Sequence, residues 1–183
     1  MIIRWRANLL ALAFVFGGAS AVHAVETRDG AHDFDFRVGT WKTHIERLQK
    51  PLSGSKNWIT LDGSVTVRPI WGGKALLEEI DAQGGGTRME GLTLFLYNPE
   101  TRQWALSFSN VKSGRIDAPV VGEFKNGRGE FYGADTLDGR GILVRIVWSD
   151  FLRDSYRFEQ SFSADGGATW EPNFVARVTR VTS

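Results

Sequence analysis

From residue 38 onward, apolar and polar side chains alternate in short runs, each closed by turn-forming residues. Trp104, Leu106 and Phe108 share one side of their run, with Gln103, Ala105, Ser107 and Ser109 on the other. Tyr156, Phe158, Gln160 and Phe162 likewise oppose Ser155, Arg157, Glu159 and Ser161. Period two with one apolar face marks a half-buried antiparallel strand. Leu92, Leu94 and Leu96 also share a face, although Phe95 and Tyr97 make that run apolar on both sides. The pattern predicts strands at 38–48, 57–69, 74–82, 90–97, 102–110, 118–124, 128–135, 141–149, 154–163 and 171–180. Between them stand Asn126-Gly127, Asp138-Gly139, Asp165-Gly166-Gly167 and Gly84-Gly85-Gly86, residues that accept the positive φ of tight hairpins. A short helical turn fits 30–36, and no longer helical periodicity follows the N-terminal run. Hairpin-linked strands in this number would leave open edges unless the sheet closed on itself. The expected fold is therefore all-β: one up-and-down antiparallel β-barrel of about ten strands.

The N-terminus adds a compartment. Arg4 and Arg6 precede the apolar run 8–22, which ends in small residues, the layout of a secretory leader. That run is about 15 residues, short of the roughly 20 that span a bilayer. Ala24 is the candidate cleavage point and Ala21 the alternative, which divides the chain into a signal peptide at 1–24 and a barrel domain at 25–183. The product is expected to be exported, periplasmic or secreted, with no membrane span after cleavage. The absence of cysteine excludes a disulfide framework and a thioether lipid anchor. The formal net charge of +1 becomes −1 if Arg4 and Arg6 leave with the leader, which gives no footprint for nucleic acid.

Two motifs punctuate the barrel. Ser163–Trp170 reads SADGGATW, the S-x-D-x-G-x-x-W Asp box known from glycan-processing propellers. One copy in a chain too short for a propeller predicts a structural hairpin, with Asp165, Gly166 and Gly167 in the turn and Trp170 packed beneath. Near the other end stands DFDFRVGTW, in which Gly39-Thr40-Trp41 resembles the G-x-W signature of lipocalins and related calycin barrels. That resemblance implies that Trp41 closes one barrel end and that a late arginine packs across it, with Arg180 the best match and Arg177 second. More closely, HDFDFRVGTW, LYNPETRQW, GEFKNGRGEFYG, VRIVWSD and QSFSADGGATWEPNF resemble exported bacterial lipocalin-like domains of unknown function. The likeness covers most of 32–180 and implies a fold and a location, with no catalytic residue to transfer. A more distant resemblance is to nitrobindin-type barrels, which bind haem through histidine. Here the three histidines are His23, His32 and His44, none in the C-terminal half, so that ligation is not expected.

No catalytic residue, metal site or cofactor is assigned from sequence. Zinc sites prefer histidine and cysteine, and His44 falls on the Lys42, His44, Glu46 face, opposite Trp41, Thr43 and Ile45. No serine sits in a nucleophile elbow, and adjacent Glu78 and Glu79 must point to opposite faces of a strand. What remains is the barrel interior. Polar residues on apolar faces need partners, because a buried group left unpaired costs about 1–3 kcal/mol. Thr43, Asn110 and Gln160 are such residues, and Trp104 and Trp148, together with Trp41, are expected as aromatic walls. The opposite facing, a mixed and wet interior, would instead turn Arg145, Arg157 and Glu159 inward; Arg145 interrupts the apolar run 142–148 and, if it faces inward, is expected to meet a carboxylate or an anionic ligand group. The leading expectation is a small, largely apolar or amphipathic ligand in the barrel cavity. The alternatives are a packed-core envelope interaction protein and a hydrolase or isomerase using His44 or a cavity carboxylate.

Overall fold

The computed structural model describes residues 29–181. The leader expected at 1–24, with both cleavage points and His23, lies outside them. The described residues form ten strands: β1 (Gly39–Leu48), β2 (Trp58–Ile70), β3 (Ala75–Gly84), β4 (Thr87–Asn98), β5 (Gln103–Asn110), β6 (Val120–Lys125), β7 (Arg128–Leu137), β8 (Arg140–Leu152), β9 (Ser155–Ser163) and β10 (Glu171–Arg180). Each pairs antiparallel with its sequence neighbour, and β1 pairs with β10, so the sheet closes into an up-and-down barrel. Closure aligns Trp41 with Arg180, Thr43 with Val178 and Ile45 with Ala176. No edge is left to template aggregation.

Local chemistry explains the corners. Asn126-Gly127 and Asp138-Gly139 both take positive φ at their two residues, the turn that matches strand twist in a two-residue hairpin. At Gly63 a Cβ would lie 2.0 Å from the Asp81 carbonyl oxygen, so β2 can curl over β3 only with glycine there. β8 extends past the expected end at 149 because Asp150, at φ 53°, forms a bulge, and pairing with β9 resumes at Leu152.

The inward set follows the apolar faces: Trp41, Thr43 and Ile45 on β1, Trp104 and Leu106 on β5, Tyr156 on β9. On β4, apolar on both sides, Thr93 and Phe95 are buried while Leu92 on the opposite face is 37 % exposed. Residues 29–38 plug one end. A turn at 31–34 leads into a 3-10 turn at Asp35–Arg37, which places Phe34, fully buried, against Phe95, Trp104, Phe124, Phe131 and Trp148. The edge-on pairs, with Phe95, Trp104, Phe124 and Trp148, add about 0.5–1.5 kcal/mol each beyond burial. Trp41 and Trp104 pin the plug by donating their indole N–H groups to the carbonyls of Arg37 (2.7 Å) and Gly30 (2.9 Å). Arg180 lies 3.9 Å over the Trp41 ring and donates to the carbonyls of Val38 and Phe36. The plug and the rings packed around it therefore fill one end and leave space in the other half of the bore.

Candidate functional site: a one-ended cavity with a polar floor

That free half holds a cavity of about 420 Å³. Its mouth lies at the end opposite the plug, among Arg47, Arg88, Glu90, Lys112, Asp117 and Asp135, charges of both signs. Below the mouth the wall is apolar, with Ile80, Phe108, Ile146, Phe158, Phe162 and Phe174 turned inward from the strands. At the depth of the cavity the character changes again. Arg37, carried in on the plug, and Glu78, on the inward face of β3 with Leu76 and Ile80, form an ion pair with side chains only 5 % and 12 % exposed.

The pair is embedded in a network. Arg37 Nη2 donates to Glu78 Oε2, and its Nε and Nη2 both donate to the Tyr156 hydroxyl, at 3.2 and 3.1 Å. Glu78 Oε1 accepts from Thr93 Oγ1 at 2.9 Å. The guanidinium carbon lies 5.0, 5.6 and 5.4 Å from the ring centres of Phe95, Trp148 and Tyr156. Burial pulls Arg37 toward its neutral form, but the Glu78 carboxylate and the Tyr156 hydroxyl outweigh that pull and hold it charged, above its ordinary value. Burial pushes the Tyr156 hydroxyl up, against the opposing effect of Arg37, so it stays protonated. Such a pair persists only because its remaining hydrogen-bonding capacity is met.

It is not fully met. Three residues of this floor each keep a buried polar atom without a partner: Arg37 Nη1, Thr43 Oγ1 and Trp148 Nε1. Native interiors hold few such groups, and a cluster of them beside a cavity needs a reason.

Of the residues singled out from sequence, Thr43, Asn110, Trp148 and Gln160 line the cavity, while Trp104 and Arg145 are not among its lining. Trp104 sits under the plug. Gln160 donates to Asn173 Oδ1 at 3.0 Å, and the Asn110 carboxamide accepts from the Lys112 and Ser113 amides of the mouth loop. Arg145 departs from the inward orientation considered for it. It faces outward, its guanidinium 4.8 Å over the Trp170 ring, and contributes to the positive field that, after Arg128 and Tyr132, holds Glu130 below the usual carboxylate range. The physical reason is that β8 is apolar on both faces, and Trp148 and Ile146 claim the interior. His44 stands outside the barrel, half exposed, 2.7 Å from Asp62. The Asp-box hairpin clasps the same outer wall as Arg145. Asp165 accepts from the Thr169 amide and hydroxyl and from Ser163, which draws its carboxyl down to about 2, with Gly166 and Gly167 at φ 72° and 93°. Among the described residues no group of three or more His, Asp or Glu side chains could hold a metal ion, and no helix is long and apolar enough to cross a membrane.

Sequence reading missed Arg37, Glu78, Thr93 and Tyr156 as site residues. Glu78 carried a signal: Leu76, Glu78, Ile80 and Ala82 share one period-two face, so a carboxylate stands in an otherwise apolar row. Arg37 carried none, because its position depends on how the plug folds back.

No family model and no curated protein matches the chain. Solved structures do. The S-type phycobiliprotein lyase CPES from Guillardia theta is similar at a TM-score of 0.58 and 13% identity, over 83% of this chain and 92% of that one. EF1p2_mFAP2b bound to DFHBI gives 0.45 and 9%, over 84% and 98%. A fluorescence-activating β-barrel designed de novo gives 0.44 and 13%, over 84% and 99%. The likeness to the lyase is one of fold: a closed antiparallel barrel.

Proposed function

We propose that this chain is an exported lipocalin-like protein that holds a small, largely apolar molecule inside its barrel. The observation that carries the reading is the cavity of about 420 Å³, open at one end and sealed by aromatic side chains at the other. Its size lies in the range of about 300–1,000 Å³ typical of small-molecule sites, and its composition matches them, mostly apolar with a few placed polar groups. Burial of ligand surface against Phe108, Phe158, Phe162 and Phe174 supplies affinity at roughly 25 cal/mol per Å². The exported location rests on the charged, apolar and small-residue order of residues 1–24. A packed interior is disfavoured by the same cavity, and an enzyme reading loses His44 as its base because that side chain stands outside.

The test is a titration of the folded protein with N-phenyl-1-naphthylamine, a neutral apolar fluorophore. Saturable binding at one site per chain is expected. Ala118→Trp, at an exposed position on the mouth loop, should weaken it about tenfold, the equivalent of about 1.4 kcal/mol. Absence of saturable binding by well-folded protein would falsify the proposal.

A further inference from the structure

The floor specifies more than apolarity. Resting on the cavity reading above, we infer that the ligand carries an uncharged hydrogen-bond acceptor at its leading end, so that the natural class is a largely apolar ketone, aldehyde or ester rather than a hydrocarbon or a free carboxylic acid. The inventory of unmet groups leads there. Arg37 Nη1 and Trp148 Nε1 can only donate, and Thr43 Oγ1 can donate. Tyr156 already accepts twice from Arg37, so only its proton is left to give. Apart from the Thr43 hydroxyl, which can also accept, no acceptor on this floor is left wanting a donor: Glu78 is served by Arg37 on one oxygen and Thr93 on the other. The buried tryptophans differ in the same sense. Trp41 and Trp104 each donate their indole N–H to a plug carbonyl, whereas Trp148, the one of the three that lines the cavity, has no acceptor for its own.

Charge decides between the two kinds of acceptor. The single cation of the floor is already neutralised by Glu78, to which it is directly hydrogen-bonded. A second carboxylate brought beside Glu78 would be a buried anion without a counter-ion, which is costly. A carbonyl oxygen meets the same donors and leaves the net charge of the floor at zero. Its two lone pairs can accept from two of them at once.

The experiment compares 2-nonanone, nonane and nonanoate as competitors of N-phenyl-1-naphthylamine at pH 7, with the indole region of the ¹H–¹⁵N spectrum followed in parallel. The ketone is expected to bind about 3- to 10-fold more tightly than nonane for each hydrogen bond gained, and nonanoate least tightly. The Trp148 Nε1–H resonance should move downfield with 2-nonanone and not with nonane. Trp148→Phe should shrink the ratio of ketone to nonane affinity, a ratio that a purely structural role would leave constant. Glu78→Gln, which removes the counter-ion, should turn the order around so that nonanoate binds better than the ketone. Equal affinity for nonane and 2-nonanone overturns the inference while leaving the apolar cavity reading intact. Tightest binding of nonanoate by the unaltered protein does the same. Failure of all three to compete overturns both.

Discussion

Arg37 and Arg145 carry the same charge on opposite sides of one barrel wall, and the protein accommodates them by opposite means. Arg37 is sealed in the floor, and its charge is matched by a carboxylate, a hydroxyl and three ring faces. Arg145 is half-buried on the outer face, with the flat face of Trp170 and the field of Glu130 as its partners, and its Nε is left buried without a hydrogen bond. Burial, rather than charge alone, therefore sets how many partners a guanidinium must have. In the floor every partner is obligatory. On the outer wall a partner contributes, and solvent replaces it when it is lost.

Breaking the inner arrangement should do the most damage. Glu78→Ala leaves Arg37 charged and buried with no counter-ion, and removal of one member of such a pair costs about 3–5 kcal/mol. Urea denaturation should show that loss as a fall in midpoint at unchanged slope. The paired change Arg37→Met with Glu78→Leu removes both charges and should recover most of the stability. A single substitution as harmless as the double one would show that water, not Glu78, serves Arg37.

The outer arrangement should yield a smaller number. Trp170→Ala removes the ring beneath Arg145 and the edge contact to Tyr132 at 6.0 Å. Loss of one cation–π and one ring pair is worth about 1–2 kcal/mol, measured by the same denaturation. Arg145→Leu should cost less than Trp170→Ala, since it removes a partly hydrated charge and no ring–ring contact. If Arg145→Leu instead approached the effect of Glu78→Ala, the distinction between the two walls would fail.

How much of this could be read beforehand depends on how local the cause was. The ten strands and their turns were legible because alternation and Asn-Gly or Asp-Gly dipeptides act over a few residues. The exceptions are local: β8 continues through the bulge at Asp150 beyond its expected end at 149, and β4 begins at Thr87, ahead of its expected start at 90. Facing was legible only where one side of a strand is polar. On β9 the alternation separated the faces correctly: Tyr156, Phe158 and Phe162 line the cavity, while Arg157 and Glu159 pair on the other face. On β8 both sides are apolar, and packing of Ile146 and Trp148 inward put Arg145 outside. The floor was hardest to foresee, because it joins β3, β4, β9 and the plug across separations of up to 119 residues. No pattern within a strand encodes that meeting, although Glu78 in an apolar row announced that something must come to it.

The mildest consequence belongs to the Asp-box hairpin, which shares the outer wall with Arg145 and is anchored by charge in water. Asp165 holds its carboxyl at about 2, against an ordinary 3.8, because the Thr169 hydroxyl, the Thr169 amide and Ser163 all bond to its charged form. A depressed carboxyl stabilises the fold above the unfolded value and loses that contribution as pH falls, here between about 4 and 2. Since Asp165 is exposed to solvent, the loss should remain within the hairpin and leave the barrel standing. Amide exchange reads this directly: the Thr169 N–H, bonded to Asp165, and the Gly167 N–H, bonded to the Ser163 hydroxyl, should lose protection across that window while the β9 and β10 amides keep theirs. Asp165→Asn should show the same weakened protection at every pH, with no acid transition left. Loss of β9 and β10 protection in the same window would mean that the clasp supports the barrel itself, and that the outer wall is as dependent on its charges as the floor.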